Sequence, residues 1–386
     1  MRTTGGKGVL QERLTGDTSL ARVLMNTLAY GATEPRYTHG FHTYPAGLHP
    51  DAARDLLAVF PGEVVLDPFC GGGTVVVEAR AAGRRAYGRD LSPVAVRVAR
   101  TRAATPDDAT LTRFRSTARK ITAAARTAPT GRDEVWPSEQ VLRGAEDWYA
   151  PHVLVELEAL RRGVEEADGS VRPLLRTVLS SILVKVSWRK SDTSARRERH
   201  ERPVGTTAVL FHKKARELGR RITALREALP AHTPKADIRV GDARAIRIKK
   251  PVDVVLTSPP YPGTYDYLPM QHLRGVWLGD DLRADQEIGS RRKWRVGDRS
   301  ARKGWVADTV GWMRSAAAAT RPGGHVVIVI GDGLTPAGTI DTLQPTLQAA
   351  SKAGLLLAAT ASGLRPDHAR DSGRWEHVIA LTRGEV

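Results

Sequence analysis

The sequence contains almost no cysteine and no long apolar segment. Cys70 is the single cysteine among 386 residues, so an internal disulfide and a cysteine-based zinc site are both excluded. No apolar run approaches the ~18 residues that a bilayer-spanning helix needs, and the N-terminus lacks the apolar segment of a signal peptide. We therefore expect a soluble, cytoplasmic protein.

Acidic residues are scarce relative to basic ones. The chain has 42 Asp and Glu against 59 Lys and Arg, which gives a formal net charge of +17. Arginine supplies 47 of the 59 cations, a bias that a GC-rich coding sequence produces without any selection for charge. An excess of this size still raises the expectation of a polyanionic partner. Hydrophobic residues at 41% and charged residues at 26% exclude disorder over most of the chain.

The order of apolar segments predicts an α/β fold. A length of 386 residues suits two domains, or one large domain with an insertion. From Val64 to Thr101 a strand, a glycine turn, a helix, a second strand and a second helix follow one another, which favours a parallel sheet. We predict a Rossmann-like sheet of about seven strands, with a large helical insertion between the second and third core strands.

Two groups of segments that follow the first βαβ unit support this prediction. Helical periodicity defines the insertion, at Ala109–Ala125, Val153–Glu166, Val171–Val186 and Ala208–Leu229. Short apolar runs define the later strands, at Asp237–Val240, Val252–Thr257, His325–Ile330, Leu355–Thr360 and Glu376–Thr382.

A glycine-rich turn follows the first of these strands. Asp67-Pro68-Phe69-Cys70-Gly71-Gly72-Gly73-Thr74 ends a strand and opens a helix, and its glycines let the backbone approach a ligand closely. The helix N-terminus beyond it presents unpaired N–H groups. The spacing is not GxGxxG and no Lys follows, so phosphate-bearing nucleotides are not specially favoured. Asp90 ends the next strand, where a carboxylate accepts hydrogen bonds from ribose hydroxyls.

A second motif ends a buried strand in two prolines and an aromatic residue. Asp253–Thr257 is followed by Ser258-Pro259-Pro260-Tyr261. The prolines fix φ and lack N–H donors, so the Ser258 side chain and the Pro259 carbonyl are free to accept hydrogen bonds from an amino group. Tyr261 offers a flat surface on which a planar base can stack. Either motif alone also occurs as an ordinary structural turn.

Together the two motifs resemble the amino-group, S-adenosylmethionine-dependent DNA methyltransferases that modify cytosine N4 or adenine N6. Asp67–Thr74 is similar to their methyl-donor loop (DPF.G.GT), and Thr257–Tyr261 to their catalytic tetrapeptide in its SPPY form, most often seen in cytosine-N4 enzymes. The segment His42–Pro45 resembles the stretch before the donor loop, and Val240–Ala243 the place where an acidic residue meets the adenine amino group. The resemblance covers about residues 40–103 and 237–382.

The resemblance implies a set of functional residues. Catalysis would fall to Ser258, Pro259, Pro260 and Tyr261. S-adenosylmethionine would be bound by Thr43, Asp67, Pro68, Phe69, Cys70, Gly71, Gly73, Thr74, Asp90, Leu91, Asp242 and Ala243. No metal is implied, because the donor carries its own reactivity.

The implied mechanism is methyl transfer to an exocyclic amine. Ser258 and the Pro259 carbonyl would hold the amine so that its nitrogen becomes more tetrahedral as the methyl group approaches in line. No covalent adduct with the base is needed, so Cys70 is not expected to act as a nucleophile. In duplex DNA the base must be flipped out of the stack, which costs a few kcal/mol.

Two basic stretches are candidates for contact with nucleic acid. Ser187–Arg221 has 11 Lys and Arg against 4 acidic residues, and Arg291–Lys303 has 7 against 1, with Trp294 inside it. Such cations would mostly touch phosphates, which position a substrate without reading its sequence. Solvated charged loops are the structural alternative. The named candidates are Arg189, Lys190, Arg196, Arg197, Arg291, Arg292, Lys293 and Arg295.

These observations divide the chain into four parts. We assign 1–39 to an N-terminal extension, 40–104 to the donor-binding part of the core, 105–235 to the helical insertion and 236–386 to the catalytic part. The insertion departs from the family, whose target-recognition regions follow the adenine-contacting segment or lie beyond the core. The recognition sequence therefore cannot be carried over.

Several functions remain open at this point. The favoured one is a site-specific DNA methyltransferase acting on cytosine N4, an activity typical of restriction-modification systems. An RNA base methyltransferase acting on tRNA or rRNA, an adenine-N6 DNA enzyme, a non-catalytic nucleic-acid-binding subunit and a small-molecule N-methyltransferase are the alternatives. Activity on a small molecule would be insensitive to salt, whereas phosphate contacts weaken steeply as salt rises.

Overall fold

The first part of the chain forms the start of a sheet, as its βαβ pattern predicted. The computed structural model describes residues 9–31, 33–42, 44–45, 47–127, 135–296, 298–335, 337–365 and 373–385, so the predicted cofactor-binding residue Thr43 lies outside it. The elements up to the insertion are β1 (Gln11–Gly16), α1 (Thr18–Asn26), α2 (Pro50–Val59), β2 (Val64–Asp67), α3 (Thr74–Ala81), β3 (Arg85–Asp90) and α4 (Pro93–Arg102).

The middle of the chain is helical. Its elements are α5 (Asp108–Arg126), α6 (Glu139–Ala145), α7 (Pro151–Glu166), α8 (Arg172–Val186), a hairpin of β4 (Arg189–Ser191) and β5 (Ser194–Arg197), and α9 (Thr206–Ala228). Four of these helices were predicted from periodicity, each to within two residues. Their buried faces share one apolar core, to which Phe41, Leu273 and Trp277 from outside the insertion also belong.

The last part of the chain returns to the sheet. Its elements are β6 (Asp237–Val240), β7 (Val252–Thr257), α10 (Tyr267–Met270), α11 (His272–Leu278), α12 (Arg291–Val296), α13 (Asp298–Ala319), β8 (Thr320–Gly331), β9 (Gly333–Thr335), β10 (Gly338–Ile340), α14 (Leu343–Lys352), β11 (Leu355–Arg365) and β12 (Arg374–Arg383). β6 and β7 have the predicted bounds. The basic stretch Arg291–Lys303 is helical, in α12 and the start of α13.

One sheet of eight strands organises the molecule, in the order β1-β11-β12-β8-β7-β2-β3-β6. The neighbouring strands β6, β3, β2, β7 and β8 pair in parallel. The sheet then continues through β12, β11 and β1, each of which pairs antiparallel with its neighbour. The predicted α/β, Rossmann-like class is therefore confirmed. The eighth strand is β1, whose residues are mostly exposed and carry no apolar alternation that could have revealed it.

Helices cover both faces of this sheet and leave a crevice at one edge. One apolar cluster contains Val65, Val254 and Val327, and a second contains Leu66, Val255 and Val326, so alternate residues of the same strands point to opposite faces. β2 lies between β3 and β7, which is where the strand order reverses. Ligands of open α/β sheets bind beyond the carboxyl ends of the strands at such a point. Within the described ranges, none of the helices combines the length and apolar composition of a membrane span.

Candidate active site

A single cleft at the carboxyl ends of β2, β3 and β7 collects the predicted motifs. Its walls come from residues 44–45, 47–48, 67–72, 74–75, 90–91, 241–243, 258–261, 267–268 and 286–288, and its empty volume is about 970 Å³, part of it open to solvent. All the catalytic candidates line it. So do the cofactor-binding candidates in the described residues except Gly73, which lies just behind the wall. Motifs nearly 200 residues apart in the sequence therefore face the same space.

The donor loop depends on two glycines with positive φ. Gly71 has φ 47° and Gly73 has φ 84°, and a Cβ on Gly73 would lie 2.8 Å from the Cβ of Ala99. Gly73 therefore lets α3 start directly against α4. The Cys70 amide donates to the carbonyl of Arg89 over 2.9 Å, which ties the loop to the end of β3. The buried Cys70 thiol has a pKa raised well above its usual value by burial, so it does not favour the thiolate of a nucleophile.

Asp90 holds the donor loop and remains able to bind a ligand. Its Oδ2 accepts from the Gly71 amide and its Oδ1 from the Ser92 amide, each over 2.8 Å. A carboxylate has about four acceptor positions, so two remain for ribose hydroxyls. Burial raises the pKa of Asp90 to about 6.

Asp67 connects the two motifs. Its Oδ1 accepts from the Thr257 hydroxyl over 2.7 Å and from the Phe69 amide over 3.1 Å. Thr257 is the last residue of β7, directly before the catalytic tetrapeptide. Burial raises the pKa of Asp67 to about 7. A buried carboxyl of this kind favours a cationic ligand, because a nearby positive charge offsets the cost of ionising it.

Asp242 lies on the cleft wall but is already paired. Its Oδ1 accepts from the Arg244 amide over 2.8 Å, and its Oδ2 from the Arg244 guanidinium over 2.6 Å. Burial opposes ionisation of this carboxyl, but the hydrogen bonds from Arg244 outweigh it and leave the pKa of Asp242 lowered. Arg244 also reaches Asp308 over 2.7 Å and the carbonyl of Gln286 over 3.2 Å. Asp242 therefore also fixes the cleft wall around Gln286.

The Ser258–Tyr261 tetrapeptide, called the catalytic loop below, is held in place by β8 and β12. The Tyr261 hydroxyl donates to Oε1 of Glu376 over 3.1 Å, and the Arg374 guanidinium lies 5.0 Å from the Tyr261 ring centre. A Cβ on Gly331 would lie 2.7 Å from the ring, so glycine makes room for Tyr261 against β8. Pro259 is buried, whereas Ser258 is half-buried at the cleft surface. This arrangement presents Ser258 to the cleft with little freedom to move.

Sequence reasoning missed part of the cleft wall. Tyr44, Tyr267 and Glu287 line the cleft and lie outside both motifs. Oε1 of the buried Glu287 accepts from the amides of Tyr267 over 2.5 Å and Leu268 over 3.4 Å. The aromatic segment around Tyr267 was a visible feature of the sequence, but nothing local distinguishes Glu287 from other glutamates.

The hairpin cations of the first basic stretch differ in their contacts. Arg189 is half-buried and donates to the carbonyl of Met270 over 2.7 Å and of Ser194 over 2.8 Å. Lys190 pairs with Glu198 over 2.9 Å, and Arg197 lies 5.0 Å from the ring centre of Trp148. Arg196 is exposed. Arg189 therefore joins the hairpin to α10, while the other three point towards solvent.

The first cations of the second stretch support the cleft wall. Arg291 donates to the carbonyl of Thr264, Arg292 to that of Ala284 over 2.7 Å and Lys293 to that of Glu287 over 2.8 Å. Arg292 also pairs with Asp266 over 3.3 Å. Arg295 is exposed. Trp294, also a residue of α12, is buried in an apolar cluster.

The cleft fits S-adenosylmethionine, a ligand with a positive sulfonium, an ammonium group and a ribose. Asp67 is a buried carboxyl whose pKa burial raises to about 7, and Asp90 offers spare acceptor positions at the end of β3. Acidic groups suit the cations, and Asp90 suits the diol. The strand order and the cleft together are those of the Rossmann-like fold class.

Comparison with known proteins agrees with this class. Residues 56–101 match the DNA methylase family of N6 and N4 methyltransferases. The Type II methyltransferase M.MvaI of Kocuria varians is 24% identical in an alignment of 277 residues, which covers 65% of this chain and 59% of that protein. This chain thus aligns with less than two thirds of its curated relative. The two matches confirm the predicted resemblance to the amino-group methyltransferases.

Solved structures give weaker similarities. TrmN from Thermus thermophilus has a TM-score of 0.34 at 13% identity, over 86% of this chain and 48% of that chain. A methyltransferase dependent on S-adenosylmethionine from Methanosarcina mazei also has a TM-score of 0.34, at 8% identity over 85% and 97% of the two chains. The fold assignment rests on the strand order of the chain itself.

Proposed function

We propose that this protein is an S-adenosylmethionine-dependent DNA methyltransferase that modifies the exocyclic N4 of cytosine at specific sites. The observation that carries the proposal is the single cleft shared by the Asp67–Thr74 loop and the Ser258–Tyr261 tetrapeptide. The family match and the similarity to M.MvaI support an amino group of DNA as the target. The serine of the tetrapeptide favours cytosine N4 over adenine N6.

The chain's own residues position the amine. Ser258 and the carbonyl of Pro259 accept hydrogen bonds from the two amino hydrogens, which fixes the nitrogen at the cleft surface. Tyr261, held by Glu376 and Arg374, supplies a planar surface for the base. The bound donor supplies an electrophilic methyl group, so positioning accounts for much of the rate enhancement. Metal ligands are not needed for this chemistry.

The β4–β5 hairpin is well placed to contact the polymer. Asp192, between its strands, pairs with the buried Arg274 of α11, and Arg189 bonds α10. Both helices follow the catalytic loop, so the hairpin is attached to the wall of the cleft. We assign phosphate contacts to its outward-facing cations and to the exposed Arg295 of α12. The internal bonds of Arg189, Arg291, Arg292 and Lys293 favour a supporting role for these four.

The decisive experiment names polymer, base and atom together. The protein is incubated with labelled donor and separate pools of DNA and RNA, and the digested nucleosides are analysed by mass spectrometry. We expect N4-methylcytosine in DNA. N6-methyladenine in DNA would move the target to adenine, and label in RNA alone would replace the DNA assignment. Absence of label from every pool would overturn the proposal, and absence of donor binding by calorimetry would overturn the cofactor assignment as well.

The matched control is Ser258→Ala in the same assay. This variant loses an amine acceptor and keeps the donor loop, so it should bind donor normally and leave DNA nearly unlabelled. Label at the wild-type level in the variant would show that Ser258 does not hold the target amine.

A further inference from the structure

Methylation of an amino group requires a proton acceptor that the catalytic tetrapeptide does not supply. The amine enters with two hydrogens and leaves with one, so a proton must depart for each methyl group transferred. The hydroxyl of Ser258 and the carbonyl of Pro259 accept hydrogen bonds but do not take up a proton near neutral pH. A group elsewhere on the cleft wall must therefore serve as the base, or the proton must pass directly to water.

The segment containing Glu287 runs alongside the catalytic loop. The Gly263 amide donates to the carbonyl of Gly289 over 2.9 Å, and a Cβ on Gly289 would lie 3.7 Å from the carbonyl oxygen of Pro260. Glu287 precedes Gly289 by two residues and lines the same cleft as Ser258. Its side chain is buried, with a relative exposure of 4%.

Hydrogen bonding leaves one oxygen of Glu287 less occupied than either oxygen of Asp90 or Asp242. Both oxygens of Asp90 accept backbone amides, and both oxygens of Asp242 are held by Arg244. In Glu287 the two backbone amides converge on Oε1. Among the described residues, Oε2 of Glu287 forms a long ion pair with Arg292, over 3.4 Å.

Asp67 is the other carboxyl with a raised pKa. Its Oδ1 is engaged with Thr257 and Phe69 at the junction of β2 with the donor loop. That position suits contact with the donor. Glu287 lies instead on the part of the wall that α10 and α12 support. The two carboxyls are therefore suited to different parts of the reaction.

We propose that the Glu287 carboxylate is the general base that takes the proton released by the target amine. This inference rests on the proposed amino-methyltransferase function. The nitrogen lone pair forms the new N–CH₃ bond as the C–S bond of the donor breaks, and that electron pair stays on sulfur. One N–H bond then breaks, its electrons remain on nitrogen, and the proton passes to Oε2 of Glu287. Solvent receives the proton when the product leaves.

The electrostatic surroundings suit this role. Burial raises the pKa of Glu287 to about 7, while hydrogen bonds from the Tyr267 and Leu268 amides and the charge of Arg292 oppose the rise. The carboxyl is then ionised above neutral pH and still basic enough to hold a proton. The other titratable or charged groups facing it are Asp266, Lys293 and the hydroxyls of Tyr44 and Tyr267.

The test measures a single turnover with donor saturating and a DNA substrate, as a function of pH. Glu287→Gln keeps an oxygen for the two backbone amides and removes the base. We expect the wild-type rate to rise with pH through a midpoint near 7, and the variant to be slower by about 10²-fold or more with that midpoint absent. Asp285→Asn, a change at a neighbouring exposed carboxyl outside the cleft, should leave the rate and its pH profile unchanged.

A second variant separates proton transfer from support of the wall. Glu287→Ala should be slow, and added formate should restore part of its rate by replacing the missing carboxylate. A Glu287→Gln enzyme with the wild-type rate and pH profile would overturn the proposal. So would a loss of donor affinity by calorimetry equal to the loss of rate. If neither variant folds, a wild-type rate that does not change between pH 5.5 and 8.5 overturns it.

Failure of the underlying function gives a different result. Wild-type protein that binds donor but labels no nucleic acid refutes the proposed function before any Glu287 variant is made. Wild-type activity with unaffected Glu287 variants refutes the base assignment alone.

Discussion

The Thr257 hydroxyl donates a 2.7 Å hydrogen bond to Oδ1 of Asp67. This bond joins the end of β7, where the catalytic tetrapeptide begins, to the end of β2, where the donor loop begins. Both residues are buried, so the bond is protected from water. The spacing of the two motifs is thereby set by two adjacent strands of one sheet.

Removal of this bond should weaken both halves of the cleft. Thr257→Val keeps the shape of the side chain and leaves a buried carboxyl without its hydroxyl partner, at a cost of about 1–3 kcal/mol. We expect donor affinity and turnover each to fall by about tenfold or more, measured by calorimetry and by methyl transfer to DNA. Thr257→Ser retains the hydroxyl and should stay within a few-fold of wild type. Equal loss in both variants would assign the effect to packing.

Mutations at the two ends of the cleft should affect different quantities, turnover at one end and donor affinity at the other. Ser258→Ala should lower turnover by about 10²-fold with donor affinity nearly unchanged, since one acceptor for the amine is lost. Asp90→Ala should instead weaken donor binding by about tenfold or more, because the ribose acceptor and the anchor of the Gly71 amide are both lost. Steady-state kinetics and calorimetry distinguish the two patterns. A donor affinity that depends on Ser258 as strongly as on Asp90 would contradict these roles.

The stability of the donor-free protein should depend on pH through Asp67. Burial raises its pKa from 3.8 to about 7, so folding favours the neutral carboxyl. Its contribution to stability is complete below about pH 4 and is lost as the pH rises to about 7, at roughly 1.4 kcal/mol per pKa unit. Asp67→Asn lacks this loss, so the thermal unfolding midpoint of the variant should rise relative to that of wild type between pH 4 and pH 8. A constant difference between the two midpoints would show that Asp67 does not titrate in this range.

DNA binding should depend on the exposed hairpin cations. Lys190→Ala combined with Arg196→Ala should lower affinity and reduce the slope of log affinity against log salt by about 2. The control pair is Arg22→Ala with Lys352→Ala, exposed cations of α1 and α14, which changes net charge equally. Identical slopes for both pairs would mean that only overall charge matters. Donor binding should be unchanged in every variant.

Local chemistry explains why much of the site could be predicted from the sequence. The donor loop and the catalytic tetrapeptide are contiguous, and their glycines and prolines dictate the backbone shape on their own. The parallel βαβ pattern then brings both loops to the same edge of the sheet. Ser258 and Asp90 could therefore be assigned to one cleft from the sequence alone.

The remaining features depend on contacts between distant segments. Glu287 reaches the cleft because α12 and the Tyr267 turn position it, and neither contact leaves a local pattern. Arg291 and Arg292 belong to a basic run, yet their carbonyl and carboxylate partners lie elsewhere in the chain. β1 pairs with β11 through backbone bonds that any exposed strand can make. Sequence periodicity carries no information on such partners.

The shared core of the insertion and α11 has a mechanical consequence. Leu273, Trp277 and Leu278 of α11 pack into the same apolar cluster as the helices of the insertion, and Arg274 reaches across to Asp192. Only α10 separates α11 from the Ser258–Tyr261 tetrapeptide along the chain. A force applied to the insertion by a bound polymer would thus be transmitted as a shift of the cleft wall, which couples engagement of substrate to the geometry around Ser258. Excision of the insertion would strip α11 of its packing rather than release a working core.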